Sequence, residues 1–139
     1  MHLFIELKAP FNAESMLVEA LKTLAPCEDY HLISLDEAIF ASFSHFPKDA
    51  LLLVAGPYNV KKYCEISLKE KYGGVLGHYL LLTKKKIKRL KSDDKQQLGV
   101  GLVDSKFGLY RELNRGIHWI FSDKGDILAR YLKRNVRNV

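Results

Sequence analysis

Six short apolar runs, each followed by a segment with helical periodicity, constrain this 139-residue chain more than any other feature. The run at residues 50–56, ALLLVAG, is continuously apolar and short, which is typical of a strand buried on both faces. Strands and helices that alternate in this way form a parallel sheet with right-handed crossovers. The runs predicted as strands are residues 2–7, 30–35, 50–56, 75–82, 98–103 and 117–121.

The segments between these runs carry helix signals. The fifth helix is predicted over residues 105–115, with Leu113 among its inward-facing side chains, and the sixth over 126 to about 136. Side-chain N-caps are predicted at Asn12, Asp36, Asn59 and Thr83. Six β-then-α units with no linker predict an α/β fold in a single domain, residues 1–139. Its sheet is either doubly wound or curled as part of a (β/α) barrel.

Composition supports a folded domain, because 47% of the residues are hydrophobic and no apolar run approaches the ~20 residues that span a bilayer. No membrane span is therefore predicted. The first residues lack the pattern of a signal peptide, and Cys27 and Cys64 lack metal-ligand spacing. We expect reduced thiols and a cytoplasmic protein.

In either parallel architecture the functional residues gather at the carboxyl ends of the strands. Glu6 and Lys8 are two positions apart on the first strand, so both side chains point to the same face. A carboxylate can hold a hard cation, and a lysine can contact a phosphate oxygen, although a simple salt bridge is equally compatible with this pair. Ser34 and Asp104, which end other strands, are predicted at the rim of the same pocket.

The formal charge of +6 and a pI of about 9.3 favour an anionic partner without choosing one. Residues 84–91 form a lysine-rich helix with two apolar anchors, which we interpret as a solvated outer face. No aromatic residues are interleaved with these lysines to stack on bases, so no nucleic acid partner is expected. His118 is predicted to be a packed residue and not a catalytic base.

Three segments in order resemble the glycerophosphodiester phosphodiesterases. LFIELKAP at residues 3–10 is similar to that family's N-I-E-I-K strand, and SLD at 34–36 to its S-F-D turn. GIHWIFSDKGDIL at 116–128 resembles its final G-V-D-G-I-I-T-D-x-P-D-x-L strand and helix. The resemblance implies a TIM-type barrel that hydrolyses glycerophosphodiesters with a divalent cation, Ca²⁺ or Mg²⁺. Glu6 would be a metal ligand, and Lys8 would be a phosphate contact.

The chain also departs from this family. The family's H-R-G histidine, its acidic metal pair and its second histidine precede the E-x-K strand, so no catalytic residue can be assigned here. Asp104 stands where the family has the asparagine of W-T-V-N. We therefore expect a partial TIM-type barrel of about six parallel βα units, corresponding to the C-terminal part of the family's barrel. Such a truncated member would be inactive alone, would bind a cation weakly, and would be open to homo-oligomers or a completing chain at its edges.

Two alternatives remain open. E-x-K on a strand also resembles the PD-(D/E)xK nuclease core, which requires an acidic residue on a neighbouring strand. A non-catalytic phosphate-binding or scaffold module would keep the Lys8 contact and use the sheet edges for partners.

Overall fold

A computed structural model of the chain describes the backbone of residues 1–136 and the side chains of residues 1–133. Six parallel strands form one sheet in sequence order, and each strand is followed by a helix. The sheet curls into a partial TIM-type barrel, which confirms the predicted fold class. The strands are β1 (Leu3–Leu7), β2 (Tyr30–Ser34), β3 (Leu51–Ala55), β4 (Gly74–His78), β5 (Gln97–Gly101) and β6 (Trp119–Ile120). The helices are α1 (Glu14–Leu21), α2 (Glu37–Ala41), α3 (Val60–Glu70), α4 (Lys84–Leu90), α5 (Lys106–Asn114) and α6 (Gly125–Val136), with a 3-10 turn at Lys48–Ala50.

The main core lies between the outer face of the sheet and the helices. Strand residues such as Leu32, Leu53 and Leu98 are fully buried and belong to one cluster with the inward side chains of the helices, including Ile87 and Leu90 of α4. This layer covers the outer face of the strands. Because the inner face of a barrel strand is covered as well, the strand sequences are continuously apolar. No helix in the described part of the chain is long and apolar enough to cross a membrane.

The inner face of the sheet is filled by aromatic side chains between its amino-terminal end and the mouth. The rings of Phe4 on β1 and Phe121 after β6 are 4.9 Å apart, and those of Phe4 and Trp119 are 5.0 Å apart. Gly99 makes room for this packing, since a Cβ there would lie 2.4 Å from Leu76 Cδ2. The first and last strands therefore meet through side chains, although no backbone pairing joins them.

Several helix and strand boundaries differ from the prediction. The last strand has two residues and not five, so this edge of the sheet is shorter than expected. Asn12 does not cap α1, which begins at Glu14; the Glu14 carboxylate instead accepts hydrogen bonds from the backbone N–H groups of Ser44 and His45. Asp36 does cap α2 as predicted, at 2.9 Å from the N–H of Ala38. Asn59 and Thr83 precede α3 and α4 as predicted, but their side chains make no capping hydrogen bond.

The inward face of α5 is also different from the prediction. Leu113 is exposed, and its neighbour Glu112 is fully buried. Glu112 accepts hydrogen bonds from the guanidinium groups of Arg111 and Arg115, each at 2.7 Å, and Arg115 also donates to the carbonyl of Leu82. The carboxylate is buried because it holds two arginines, one of which ties α5 to the loop before α4. Apolar periodicity cannot anticipate such an arrangement.

Candidate functional site

Residues at the carboxyl ends of β2 to β6 surround an open cavity of about 270 Å³ at the mouth of the partial barrel. Its walls are almost entirely apolar, and His78 is its one ionisable side chain. The lining includes Ile33, Val54, Leu76, Leu102 and Phe121, with backbone from Gly77 and Gly101. Because parallel strands place their carboxyl ends at one edge, this mouth is where a ligand of such a fold is expected to bind.

Glu6 and Lys8 lie at this edge, although neither side chain lines the cavity. Glu6 is the register partner of Ile33, which lines the cavity, and its carboxylate is 3.9 Å from the Lys8 ammonium. Both groups are solvent-accessible, with side-chain exposures of 39% and 78%. An exposed pair of this kind contributes little to stability, at most about 1 kcal/mol, so Lys8 is free to exchange its partner for another anion.

Ser34 lies at the end of β2 but does not line the cavity. Its side chain is fully buried, and its hydroxyl donates towards the carbonyls of Leu7 and Asp36 at 3.0 and 3.1 Å. The same oxygen accepts from the N–H of Asp36 at 3.0 Å. These bonds tie the ends of β1 and β2 together and occupy the hydroxyl.

Asp104 lies at the mouth but faces a neighbouring cavity of about 250 Å³, which Tyr79 and Arg111 also line. Its carboxylate accepts a hydrogen bond of 2.6 Å from the Ser122 hydroxyl. The bond joins the loops that follow β5 and β6. Asp104 is therefore available to this second cavity and is separated from the apolar one by Leu102, which lines both.

His78 is the site residue to which sequence reasoning gave no role. The Nδ1 atom accepts a hydrogen bond of 3.1 Å from the N–H of Leu80, so the neutral ring carries its proton on Nε2. The ring stacks on Tyr79 with centroids 4.4 Å apart. The position at a strand end was visible in the sequence, but only the register of β4 shows that this side chain lines the cavity.

His118 is exposed instead of packed inside the sheet, and it lines a cavity at the opposite, amino-terminal end. Its Nδ1 accepts from the N–H of Leu98 at 3.1 Å, and partial burial lowers the pKa of the ring, with Lys91 adding to the effect. This position keeps His118 away from the mouth.

The residues present do not form a metal site by themselves. Within the described part of the chain, no group of three or more His, Cys, Asp or Glu side chains lies close enough to hold a cation. Glu6 is the only carboxylate on the six strands, and its nearest charged neighbour is a lysine. One exposed carboxylate cannot hold Ca²⁺ or Mg²⁺ firmly, because these ions require several oxygen ligands.

Of three comparisons with known proteins, the comparison of structures supports the fold. No protein-family model matches the sequence, and no curated protein matches it. Among solved structures, a protein from Agrobacterium tumefaciens assigned as a glycerophosphoryl diester phosphodiesterase aligns with 99% of this chain at a TM-score of 0.75 and 12% identity. This chain spans 60% of the length of that protein. At this identity the likeness shows a shared partial-barrel fold and nothing finer.

Proposed function

We propose that this chain supplies the C-terminal part of a glycerophosphodiester phosphodiesterase-like barrel and that its mouth binds a phosphate-bearing small molecule, such as a glycerophosphodiester, through Lys8. The observation that carries the proposal is the position of the Glu6–Lys8 pair beside the cavity, on the strand that resembles the family's E-x-K strand. An ammonium next to an apolar cavity can form a charge-assisted contact with a phosphate oxygen while the alcohol portion enters the cavity.

Hydrolysis would require groups that the described residues do not bring to the mouth. Metal-assisted cleavage of a phosphodiester uses several metal ligands together with an acid and a base. We propose that Glu6 is one such ligand, and that the family's histidines and acidic pair would come from another segment or chain. In this proposal the chain alone binds its ligand weakly and does not turn it over.

Partner strands would have room at the outer edge of β1. That edge has no strand partner in the described chain, and β1 is five residues long without proline or a central charge, whereas β6 offers two residues. A completing segment or a second copy would pair there. Sedimentation at several concentrations tests this: association is expected, and a concentration-independent monomer would show that the aromatic contacts between Phe4 and Phe121 close the fold without help.

The nuclease alternative receives no support from the neighbouring strand. β1 pairs only with β2, and Tyr30–Ser34 carry no carboxylate that could join Glu6. A phosphate-binding module without catalysis remains the second candidate, because the contact through Lys8 does not require turnover.

Titration with glycerophosphocholine and with inorganic phosphate, followed by amide chemical shifts, tests the binding step. Wild-type protein is expected to shift resonances around Lys8 and His78, and Lys8→Ala is expected to weaken binding by about tenfold, the loss of one charge-assisted contact. Lys22→Ala is the matched control, because Lys22 is also exposed and paired with a nearby glutamate, Glu19, but follows α1 at the opposite edge.

Equal binding by Lys8→Ala and wild type would contradict the proposed contact. Hydrolysis is measured in parallel with added Mg²⁺ or Ca²⁺. Turnover by the chain alone that survives Glu6→Ala would show that the reaction uses a different site.

A further inference from the structure

Large apolar side chains that follow β3, β4 and β5, in the connections or in the first turn of the next helix, are exposed to solvent at the mouth. Tyr58, after β3, is fully exposed at 103%; Leu80, after β4, is 67% exposed; and Phe107, after β5, is 86% exposed. All three follow the carboxyl ends of neighbouring strands, so they lie along one continuous stretch of the edge. Exposed apolar groups clustered in this way are typical of interaction surfaces.

The helices that follow these strands carry lysine in their first turns. Lys61, Lys84 and Lys106 lie in the first turns of α3, α4 and α5, and none of these turns contains an acidic residue. Each of α1, α2 and α6 has an acidic residue in its first turn. The mouth is therefore divided into a basic half and a half with acidic helix starts. Exposed apolar side chains occur in both halves, since Met16 in the first turn of α1 and Leu35 after β2 are 73% and 56% exposed, but only in the basic half do they lie beside lysines without an acidic residue in the same helical turn.

Neither feature contributes much to the stability of the fold. A lysine in the first turn faces the positive end of the helix dipole, which is unfavourable, and an exposed tyrosine or phenylalanine gains nothing from burial. Among the described side chains, Lys61, Lys84 and Lys106 have no carboxylate within ion-pair distance. The Lys106 ammonium does lie over the ring of Tyr131, 5.7 Å from its centroid. A partner with an anionic surface and an apolar interior would explain both the first-turn lysines and the exposed apolar side chains.

We call this surface the apolar–basic rim; it consists of Tyr58, Leu80, Phe107, Lys61, Lys84 and Lys106. We propose that the apolar–basic rim binds the surface of a phospholipid bilayer that contains anionic lipid. The exposed apolar side chains enter the boundary between headgroups and acyl chains, and the lysines contact lipid phosphates. The net charge of +6 attracts the chain to such a surface.

A bilayer fits the rim better than a nucleic acid or a protein. The exposed apolar side chains come from separate segments around a concave mouth. They therefore project into solvent individually and do not form one flat patch. Leu80 and the neighbouring Leu102, which is also exposed, cannot stack on bases, whereas both can be immersed in lipid. The proposal does not rest on phosphate binding by Lys8, and Lys8→Ala is expected to bind vesicles normally.

Co-sedimentation with vesicles tests the proposal. The full chain is expected to bind vesicles of equal parts phosphatidylcholine and phosphatidylglycerol, to bind phosphatidylcholine alone much less, and to be released by salt. The double variant Tyr58→Ser/Phe107→Ser is expected to lose about tenfold in partitioning, and Lys84→Gln/Lys106→Gln to lose the preference for phosphatidylglycerol. Unchanged Trp119 fluorescence shows that each variant is folded.

Matched controls come from the same helices and from another exposed apolar residue. Lys69→Gln/Lys88→Gln changes two lysines in the last turns of α3 and α4, at the opposite edge, and Met16→Ser changes an apolar side chain of α1 that is 73% exposed. Both controls are expected to bind as wild type. Equal losses in control and rim variants, binding to duplex DNA but not to vesicles, or rim-dependent self-association without vesicle binding would each overturn the proposal.

Discussion

Acid should destabilise this protein through one buried histidine, His31 on β2. The ring is fully buried among aromatic side chains, with Trp119 at 5.9 Å and Phe4 at 5.8 Å between centroids. Its Nδ1 is 2.7 Å from Nε2 of His2, and its own Nε2 is buried without a hydrogen-bond partner. Burial, with a smaller contribution from His2, lowers the pKa of His31 from 6.5 to about 4.

The direction of the effect follows from linkage. Between pH 6.5 and about 4 the unfolded chain binds a proton at His31 and the folded chain does not, so the free energy of unfolding falls as the pH falls through this range. The full contribution is present above pH 6.5. At about 1.4 kcal/mol for each pH unit, the loss is about 2 kcal/mol at pH 5 and about 3 kcal/mol below pH 4.

Urea unfolding followed by Trp119 fluorescence measures this loss, because the tryptophan lies in the same cluster as His31. His31→Phe keeps an aromatic ring of similar size and removes the titrating group. We expect its free energy of unfolding to fall by about 2 kcal/mol less than that of wild type between about pH 7.5 and about pH 5. His45→Asn is the control: this exposed histidine pairs with Glu14, so its removal is not expected to reduce the loss. An equal loss in His31→Phe and wild type would refute the reasoning.

Two further predictions concern packing and buried charge. Gly99→Ala should destabilise the fold by about 1–3 kcal/mol in the same urea assay, because the added Cβ would clash with Leu76. Gly101→Ala is the control: no atom lies within 4 Å of its added Cβ, so its free energy of unfolding should be close to that of wild type. Glu112→Ala should cost about 3 kcal/mol by leaving the largely buried Arg115 without its carboxylate, and Glu112→Met/Arg115→Met should recover much of that loss. A Glu112→Ala protein within about 1 kcal/mol of wild type would mean that water replaces the carboxylate.

The features that the sequence predicted correctly are those governed by local periodicity and chain connectivity. Continuous apolar runs such as residues 51–55 are typical of strands covered on both faces, and their alternation with helices favours a parallel sheet. The placement of Glu6 at the carboxyl end of β1 follows from the same pattern. Asp36 was recognised as a cap because capping depends on residues that are adjacent in the chain.

The tertiary structure alone decided which distant residues meet. The curl of the sheet brings Phe4 against Phe121, and only strand register turns His78 toward the cavity while Ser34 is buried beside β1. Glu112 displaced Leu113 from the interior because its two arginine partners make burial of a carboxylate possible. The apolar periodicity of the sequence depends only on the position of each residue within its own helix or strand. Curvature, register and charge pairing depend on residues far apart in the chain, and they set the chemistry of the mouth.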